Sequence, residues 1–338
     1  MNDAIIRGHI WSPSGFGTAC YEMVSNMCDR NLPFHVNVLP SDRNTGINEE
    51  EYSNLPIMTD DEFSIKVKEV PMVSITTEPY RREKYYEYLF TAIEGYNIPD
   101  YYDNTIDKYA DEVIVPSNWS KETLVDRMYI DKEVTVIPHG INPNKYTINK
   151  PPKRFTFHCV AINDWRKNLK NLVTAFTQEF KPDEARLVIK TNKPLEVTPK
   201  NVEYDFNVYQ FSEIDKMYHN RSAFVSMTRG EGFCIPALQV AARGMPIAIT
   251  NATGHLDFLY DLFYPIECDG TITRKVTRWD IVEYPNPTIK SAREQMRAIY
   301  DDYENACKQS MKLREKVIQE FTWEKAVDKL VETVYDVD

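Results

Sequence analysis

The chain has 338 residues, of which 42% are hydrophobic and 27% are charged. That composition is typical of a folded globular protein, and it excludes a disordered or collagen-like chain. A formal net charge of -11 lacks the basic excess of nucleic-acid-binding proteins, so it disfavours a nucleic-acid partner without excluding one.

The sequence carries no sign of a targeting or membrane segment. It contains no apolar run of about 18 residues, and its first residues lack the basic start and apolar stretch of a signal peptide. The six cysteines are scattered, with no pair at the spacing of a zinc site or a redox motif. We therefore expect a cytoplasmic protein with free thiols and no transmembrane segment.

Short apolar runs alternate with helical stretches throughout the first half, which predicts a parallel sheet covered by helices. The predicted strands are residues 4–11, 34–39, 72–77, 88–93, 112–116 and 133–138. Residues 141–155 combine Pro, Asn and charge without an apolar period, so they are the predicted linker. Because the length is about twice that of a usual domain, we place a domain boundary near residue 150.

The second half repeats the alternation with longer apolar runs, which indicate buried strands. The predicted strands are residues 155–162, 186–192, 223–228 and 245–250, and the predicted helices are 167–179, 212–220 and 235–243. Residues 290–321 read as one or two amphipathic helices, followed by a last helix from Thr322. The predicted domains are therefore 1–150 and 151–320, with 321–338 returning to the first domain.

Two glycine turns stand where ligands bind in parallel sheets, after a strand and before a helix. The first contains Gly15 and Gly17, and it is either a phosphate or sugar contact or a plain turn. The second, residues 229–236, is more specific because Gly230 and Gly232 allow close backbone approach and Pro236 suits a first helical turn. Between these glycines, Glu231 is placed to meet sugar hydroxyls, although a helix-capping or solvated glutamate is the simpler alternative.

Residues 229–259 resemble the nucleotide-sugar signature of family 4 glycosyltransferases, which are retaining enzymes of the GT-B class. Further landmarks occur in the family's order, at residues 14–23, 93–102, 111–124, 136–142, 165–176 and 321–334. The resemblance spans nearly the whole chain. It implies an α/β fold of two doubly wound, Rossmann-like domains that face a central cleft, with the acceptor bound by the first domain and the nucleotide sugar by the second.

The resemblance also implies roles for the second glycine turn. Glu231 matches the first carboxylate of the family's E-x7-E motif and is expected to bind donor-sugar hydroxyls. The second position is Gln239, a departure that puts the usual ribose contact in doubt because an amide cannot supply the same charged acceptor. Backbone amides are expected to meet the sugar and diphosphate at Gly232, Phe233, Cys234 and Ile235, and Gly15 and Gly17 are also assigned to donor binding.

Two basic residues are expected to stabilise the leaving diphosphate. Lys167 matches the family lysine, and such a cation is needed because negative charge develops as the glycosidic bond breaks. Ile162 stands where relatives often carry an arginine, and the neighbouring Arg166 is a candidate to compensate. Both could instead be solvated cations at a helix start.

The acceptor side is predicted from the first half of the chain. Glu94 and Tyr96 lie in a segment resembling an acceptor-lining element of the family, and Glu78 follows a predicted strand that faces the same cleft. His139 falls in the family's hinge region and is expected to be structural. A surface loop is the alternative interpretation for residues 94–99.

The sequence therefore predicts transfer of a hexose from a UDP- or GDP-sugar to a hydroxyl of a saccharide, glycolipid or other acceptor, with retention. No metal site and no cofactor are expected, because the body of the chain has no Asp-x-Asp element. A nucleotide-dependent oxidoreductase is disfavoured because Cys20 stands where a third glycine would be needed. The alternatives that remain are a non-catalytic nucleotide-sugar-binding protein and a phage enzyme that glycosylates DNA bases.

Overall fold

A computed structural model describes residues 3–39, 47–77, 79–80, 85–278 and 280–335. Within them, two parallel six-stranded sheets form the framework, and helices pack against them. The first sheet takes its strands from residues 5–136 and the second from residues 155–266.

The first sheet has the strand order β2-β1-β3-β4-β5-β6. Its strands are β1 (Ile5–Gly8), β2 (His35–Val38), β3 (Met72–Ile75), β4 (Glu87–Phe90), β5 (Glu112–Val115) and β6 (Val134–Val136). The helices of this half are α1 (Gly15–Asp29), α2 (Asp60–Lys66), α3 (Asp100–Tyr109) and α4 (Asn118–Glu122). Strands β3 and β4 are buried throughout, as expected of central strands covered on both faces.

The second sheet has the order β12-β11-β10-β7-β8-β9. Its strands are β7 (Phe155–Val160), β8 (Ala185–Lys190), β9 (Val202–Asp205), β10 (Ala223–Ser226), β11 (Ile247–Thr250) and β12 (Tyr264–Ile266). The helices among them are α5 (Leu169–Glu179), α6 (Ile235–Ala242) and α7 (Leu256–Leu259). Between neighbours β7 and β10 the chain reverses its direction of winding, which makes this the switch point where ligands bind in such sheets.

After the second sheet come an antiparallel hairpin and three helices. The hairpin consists of β13 (Cys268–Lys275) and β14 (Ile281–Pro287), and the helices are α8 (Ile289–Asp301), α9 (Tyr303–Glu320) and α10 (Trp323–Tyr335). Helix α10 packs on α1 of the first half, where Arg30 and Asp328 form an ion pair of 2.7 Å. The division into domains near residue 150 stays a prediction.

The expected α/β class with two parallel sheets is confirmed, with corrections in detail. Phe211–Tyr218 form a 3-10 helix rather than the predicted helix over 212–220, and Ser212 bonds to Glu51. Strands β9 and β12 and the hairpin were not expected. Residues 290–321 form two helices, α8 and α9.

The two halves share a hydrophobic core. One continuous cluster of buried side chains includes Met23 of α1, Phe233 before α6 and Trp323 of α10. The rings of Tyr21 and Phe211 stack across the halves with centroids 4.1 Å apart. This packing brings the turn after β10 against the first half.

Candidate active site

The candidate site lies at the carboxyl ends of the adjacent strands β7 and β10. The turn after β7 carries Arg166 and Lys167, and the turn after β10 carries Glu231. The backbone N–H of Arg229 donates to the carbonyl of Arg166 over 2.8 Å, which joins the two turns directly. Parallel pairing of these strands therefore brings together residues that are 64 positions apart.

The three predicted catalytic residues form one ionic cluster. The ammonium of Lys167 donates to both carboxylate oxygens of Glu231, at 2.7 and 2.8 Å. Arg166 lies 3.5 Å from the same carboxylate and donates to the carbonyl of Gly230 over 2.5 Å. The exposed fractions of the side chains are 16% for Lys167, 14% for Arg166 and 8% for Glu231, so water screens these interactions only weakly.

The cluster keeps Glu231 ionised. Burial alone would raise its pKa, but the charges of Lys167 and Arg166 outweigh that effect and lower the pKa from 4.5 to about 2. Burial opposes the charge of Arg166 as well, and the carboxylates of Glu94 and Glu231 overcome it, so the pKa of Arg166 is raised. A carboxylate facing two cations is the stable state near neutral pH.

Glu94 connects this cluster to the first half of the chain. Its carboxylate lies 2.8 Å from Arg166, and 41% of its side chain is exposed. Partial removal from water beside the second half raises the pKa of Glu94, and the positive charges of Arg166 and Lys167 oppose that rise. The predicted acceptor residue and the predicted diphosphate residue are therefore direct neighbours at the cleft.

Backbone contact between the halves explains the glycines of the second turn. A Cβ on Gly230 would lie 1.8 Å from the carbonyl oxygen of Glu94, and a Cβ on Gly232 would lie 2.6 Å from the Cβ of Ala92. The hydroxyl of Ser117 also donates to the carbonyl of Gly232 over 2.7 Å. No side chain fits at either glycine without displacing the first half.

The residues after Gly232 are placed mainly by packing. Phe233 is 2% exposed and contacts the rings of His139 and Phe258, while Ile235 begins α6. Cys234 caps α6 in a left-handed conformation with φ of 69°, and burial raises the pKa of its thiol. Donor contacts by the backbone of this segment stay a prediction.

Gln239 is placed away from solvent. It is 4% exposed, and its side-chain oxygen accepts from the hydroxyl of Tyr218 over 2.5 Å. The expected ribose contact of Gln239 stays a prediction, and it would require this buried amide to exchange partners.

The first glycine turn has a clear structural role at one of its two glycines. A Cβ on Gly17 would lie 1.9 Å from the carbonyl oxygen of Ser12, whereas one on Gly15 would meet no atom within 4 Å. Ser14 caps α1 by accepting from the N–H of Gly17. Gly15 is therefore the glycine of this turn that folding leaves free to meet a ligand.

The hairpin covers the predicted acceptor segment. The sequence did not predict this contact. The N–H of Tyr96 donates to the carbonyl of Glu283 over 2.8 Å, and Asn97 exchanges hydrogen bonds with residues 281 and 283. The ring of Tyr96 packs against Trp119 and under the guanidinium of Arg127. Glu78, the third predicted acceptor residue, lies outside the described residues.

Two buried histidines lie near the site. His139 stacks on Phe90 and contacts Trp323, and burial lowers its pKa to about 3, which suits the expected structural role. His255, which the sequence did not point to, donates its Nε2–H to the carbonyl of Thr250 over 2.6 Å, and burial lowers its pKa. The hydroxyl of Thr253 accepts from the N–H of Glu231 and helps to fix that turn.

In the described ranges, no group of three or more His, Cys, Asp or Glu residues is arranged to hold a metal ion. Across the same ranges, the helices are all too short or too polar to cross a bilayer. All six cysteines lie in the described part and are free thiols.

Solved structures with the same fold define the class of the chain. Sucrose-phosphate synthase from Thermosynechococcus elongatus superimposes with a TM-score of 0.72 at 12% identity, covering 100% of this chain and 99% of that one. HepE from Anabaena, solved with UDP and glucose, gives 0.72 at 11% identity with full coverage of both chains. WaaG, a glycosyltransferase involved in lipopolysaccharide biosynthesis, gives 0.66 at 10% identity, covering 99% and 100%. The fold is that of the GT-B glycosyltransferases.

A sequence comparison supports the resemblance over part of the chain. Residues 177–330 match the family model described as "Family 4 Glycosyltransferase in conflict systems", so the predicted resemblance to family 4 is confirmed and the chain is a glycosyltransferase. The matched range includes Glu231 and the turn that carries it. Among curated proteins, no sequence matches the chain.

Proposed function

We propose that the chain transfers a hexose from a UDP- or GDP-sugar to a hydroxyl group of an acceptor, with retention of anomeric configuration. The observation that carries this proposal is the buried cluster of Lys167, Arg166 and Glu231 at the switch point of the second sheet. It combines two cations for a diphosphate with one carboxylate for sugar hydroxyls. Solvated surface residues would be neither buried nor brought together from two separate turns.

Donor binding would divide the cluster between two ligand groups. The diphosphate would draw on Lys167 and Arg166, and donor hydroxyls would replace these cations as hydrogen-bond partners of Glu231. Both cations are weakly exposed, so each interaction with a developing phosphate charge is stronger than in bulk water. Gly15 would add a close backbone approach from the first half.

The chemical step that we propose needs no protein nucleophile. The bond between the anomeric carbon and the diphosphate oxygen breaks, the acceptor oxygen bonds to that carbon on the same face, and its proton passes to the departing diphosphate oxygen. Lys167 and Arg166 stabilise the charge on the leaving group, which is the work of a metal ion in other transferases. We accordingly propose a metal-independent reaction with no cofactor besides the donor.

The decisive experiment measures donor binding and turnover with the full chain. A nucleotide sugar that binds only the folded state raises the melting temperature, so a panel of UDP- and GDP-sugars identifies the donor. With that donor, release of the nucleotide diphosphate and the anomeric configuration of the product, determined by NMR, test transfer and retention. Failure of every nucleotide sugar to shift the melting temperature would refute the proposal.

The alternative of a non-catalytic sugar-nucleotide-binding protein makes a different prediction. It would show the thermal shift but no release of nucleotide diphosphate, either to acceptors or to water. Buried Gln239 at the second position of the acidic motif is the observation that keeps this alternative in the test.

A further inference from the structure

Beside the ionic cluster lies a second group of charged and aromatic side chains, which we call the Trp165 patch. It consists of Trp165, Arg229, Arg274 and Tyr284. The guanidinium carbons of Arg229 and Arg274 lie 4.2 and 5.0 Å from the centroid of a Trp165 ring, and Tyr284 packs edge-on against it at 5.4 Å. Three separate segments thus converge: the turn after β7, the turn after β10 and the hairpin.

Within the described part of the chain, no carboxylate pairs with the two arginines of this patch, Arg229 and Arg274. Arg229 is only 7% exposed, and its buried Nε has no hydrogen-bond partner. Burial, and then the positive charge of Arg274, lower the pKa of Arg229. Two neighbouring cations without a carboxylate are arranged to receive an anion.

This patch differs from the proposed diphosphate site. Arg166 and Lys167 already face Glu94 and Glu231, whereas the patch arginines face an aromatic ring. A Cβ on Gly230 would lie 3.6 Å from the ring of Tyr284, so the patch adjoins the turn of Glu231. It therefore lies beside the segment of the first half that holds Glu94.

We propose that the Trp165 patch binds a phosphate group of the acceptor, so that the natural acceptor is a small phosphorylated molecule. This inference rests on the proposed function. Guanidinium groups match phosphate oxygens in geometry and form charge-assisted hydrogen bonds with them. The net charge of -11 opposes a long polyanion such as a nucleic acid, while a single phosphate needs only the local pair of cations.

Binding of simple probes to the full chain tests the inference. Glucose 6-phosphate, glucose and inorganic phosphate are titrated by calorimetry, with and without UDP. We expect glucose 6-phosphate to bind at least tenfold more tightly than glucose, and Arg274→Gln to remove that preference. Lys275→Gln is the matched control, because it removes the same charge from the next residue of β13, whose side chain points to the opposite face.

Five outcomes decide the matter. A phosphate preference that Arg274→Gln removes and Lys275→Gln retains supports the inference, and Arg229→Gln, if folded, should act like Arg274→Gln. Equal binding of glucose and its phosphate overturns it, and so does an Arg274→Gln variant that chiefly loses UDP affinity. Tighter binding of a short oligonucleotide than of glucose 6-phosphate overturns the small acceptor. A phosphate preference in a chain that binds no nucleotide sugar would refute the proposed function and leave the patch standing.

Discussion

Replacing Lys167 and Glu231 singly and together should separate their role in stability from their role in catalysis. Lys167→Met leaves the carboxylate of Glu231 buried, with only Arg166 at 3.5 Å. Breaking a buried pair in this way typically costs about 3–5 kcal/mol. Burial raises the pKa of Glu231, and Lys167 is the largest of the positive influences that lower it, so its loss should be felt strongly.

The double variant Lys167→Met/Glu231→Gln removes the orphaned charge, so we expect most of the lost stability to return. The free energy of unfolding, measured by urea titration, should give a coupling energy of about 2–3 kcal/mol in the double-mutant cycle. Lys170→Met, on the exposed side of α5, is the control and should change stability little.

The double variant should regain stability without regaining activity. Because Lys167 would stabilise charge that develops on the leaving group, Lys167→Met should lower kcat roughly 100-fold or more, and the double variant should stay equally impaired. Glu231→Gln should weaken donor binding as well. A Lys167→Met protein with wild-type kcat, or a coupling energy below about 0.5 kcal/mol, would contradict the proposed role of the cluster.

Four further predictions follow from particular contacts. Gly230→Ala should destabilise the chain by about 1–3 kcal/mol, measured by denaturant titration, because its methyl group meets the backbone of Glu94. Gly15→Ala should leave the melting temperature unchanged or raised, so a weaker donor affinity in that variant would report a ligand contact. Burial lowers the pKa of His139 to about 3 in the folded chain, against 6.5 in the unfolded chain, so protonation favours unfolding as the pH falls below 6.5. The variant His139→Phe should therefore lose less stability than the wild type between pH 6.5 and 4. Excess EDTA should leave the transfer rate almost unchanged, and an activity that chelation abolishes and manganese restores would count against the cationic mechanism.

Much of the fold could be predicted because buried parallel strands are continuous apolar runs. All six strands of the first sheet and four of the second overlap segments that the sequence predicts as strands. Strands β9 and β12 are short and include polar residues or proline, so their patterns are weak. Strand β13 of the hairpin is mostly exposed, and the sequence pattern cannot show where the hairpin docks, because its partner is a loop 186 residues earlier.

The site could be predicted in part for a related reason. Glycines and a carboxylate at a strand-to-helix turn indicate ligand chemistry locally, so Glu231 and Lys167 could be selected without a structure. Their mutual ion pair, and the bond between Arg166 and Glu94, depend on tertiary pairing of strands and halves. The patch arginines gave no local signal, since a missing countercharge is visible only in three dimensions.

Because of the hairpin, residues from both halves form the acceptor side of the site. Its strand β14 holds the loop at Tyr96 and Asn97 through backbone hydrogen bonds, although it belongs to the sequence that follows the second sheet. Chimeras that exchange whole halves near residue 150 to alter donor choice would therefore also replace part of the acceptor side. To change the two specificities independently, the exchanged segment would have to leave residues 268–287 with the first half to which they dock.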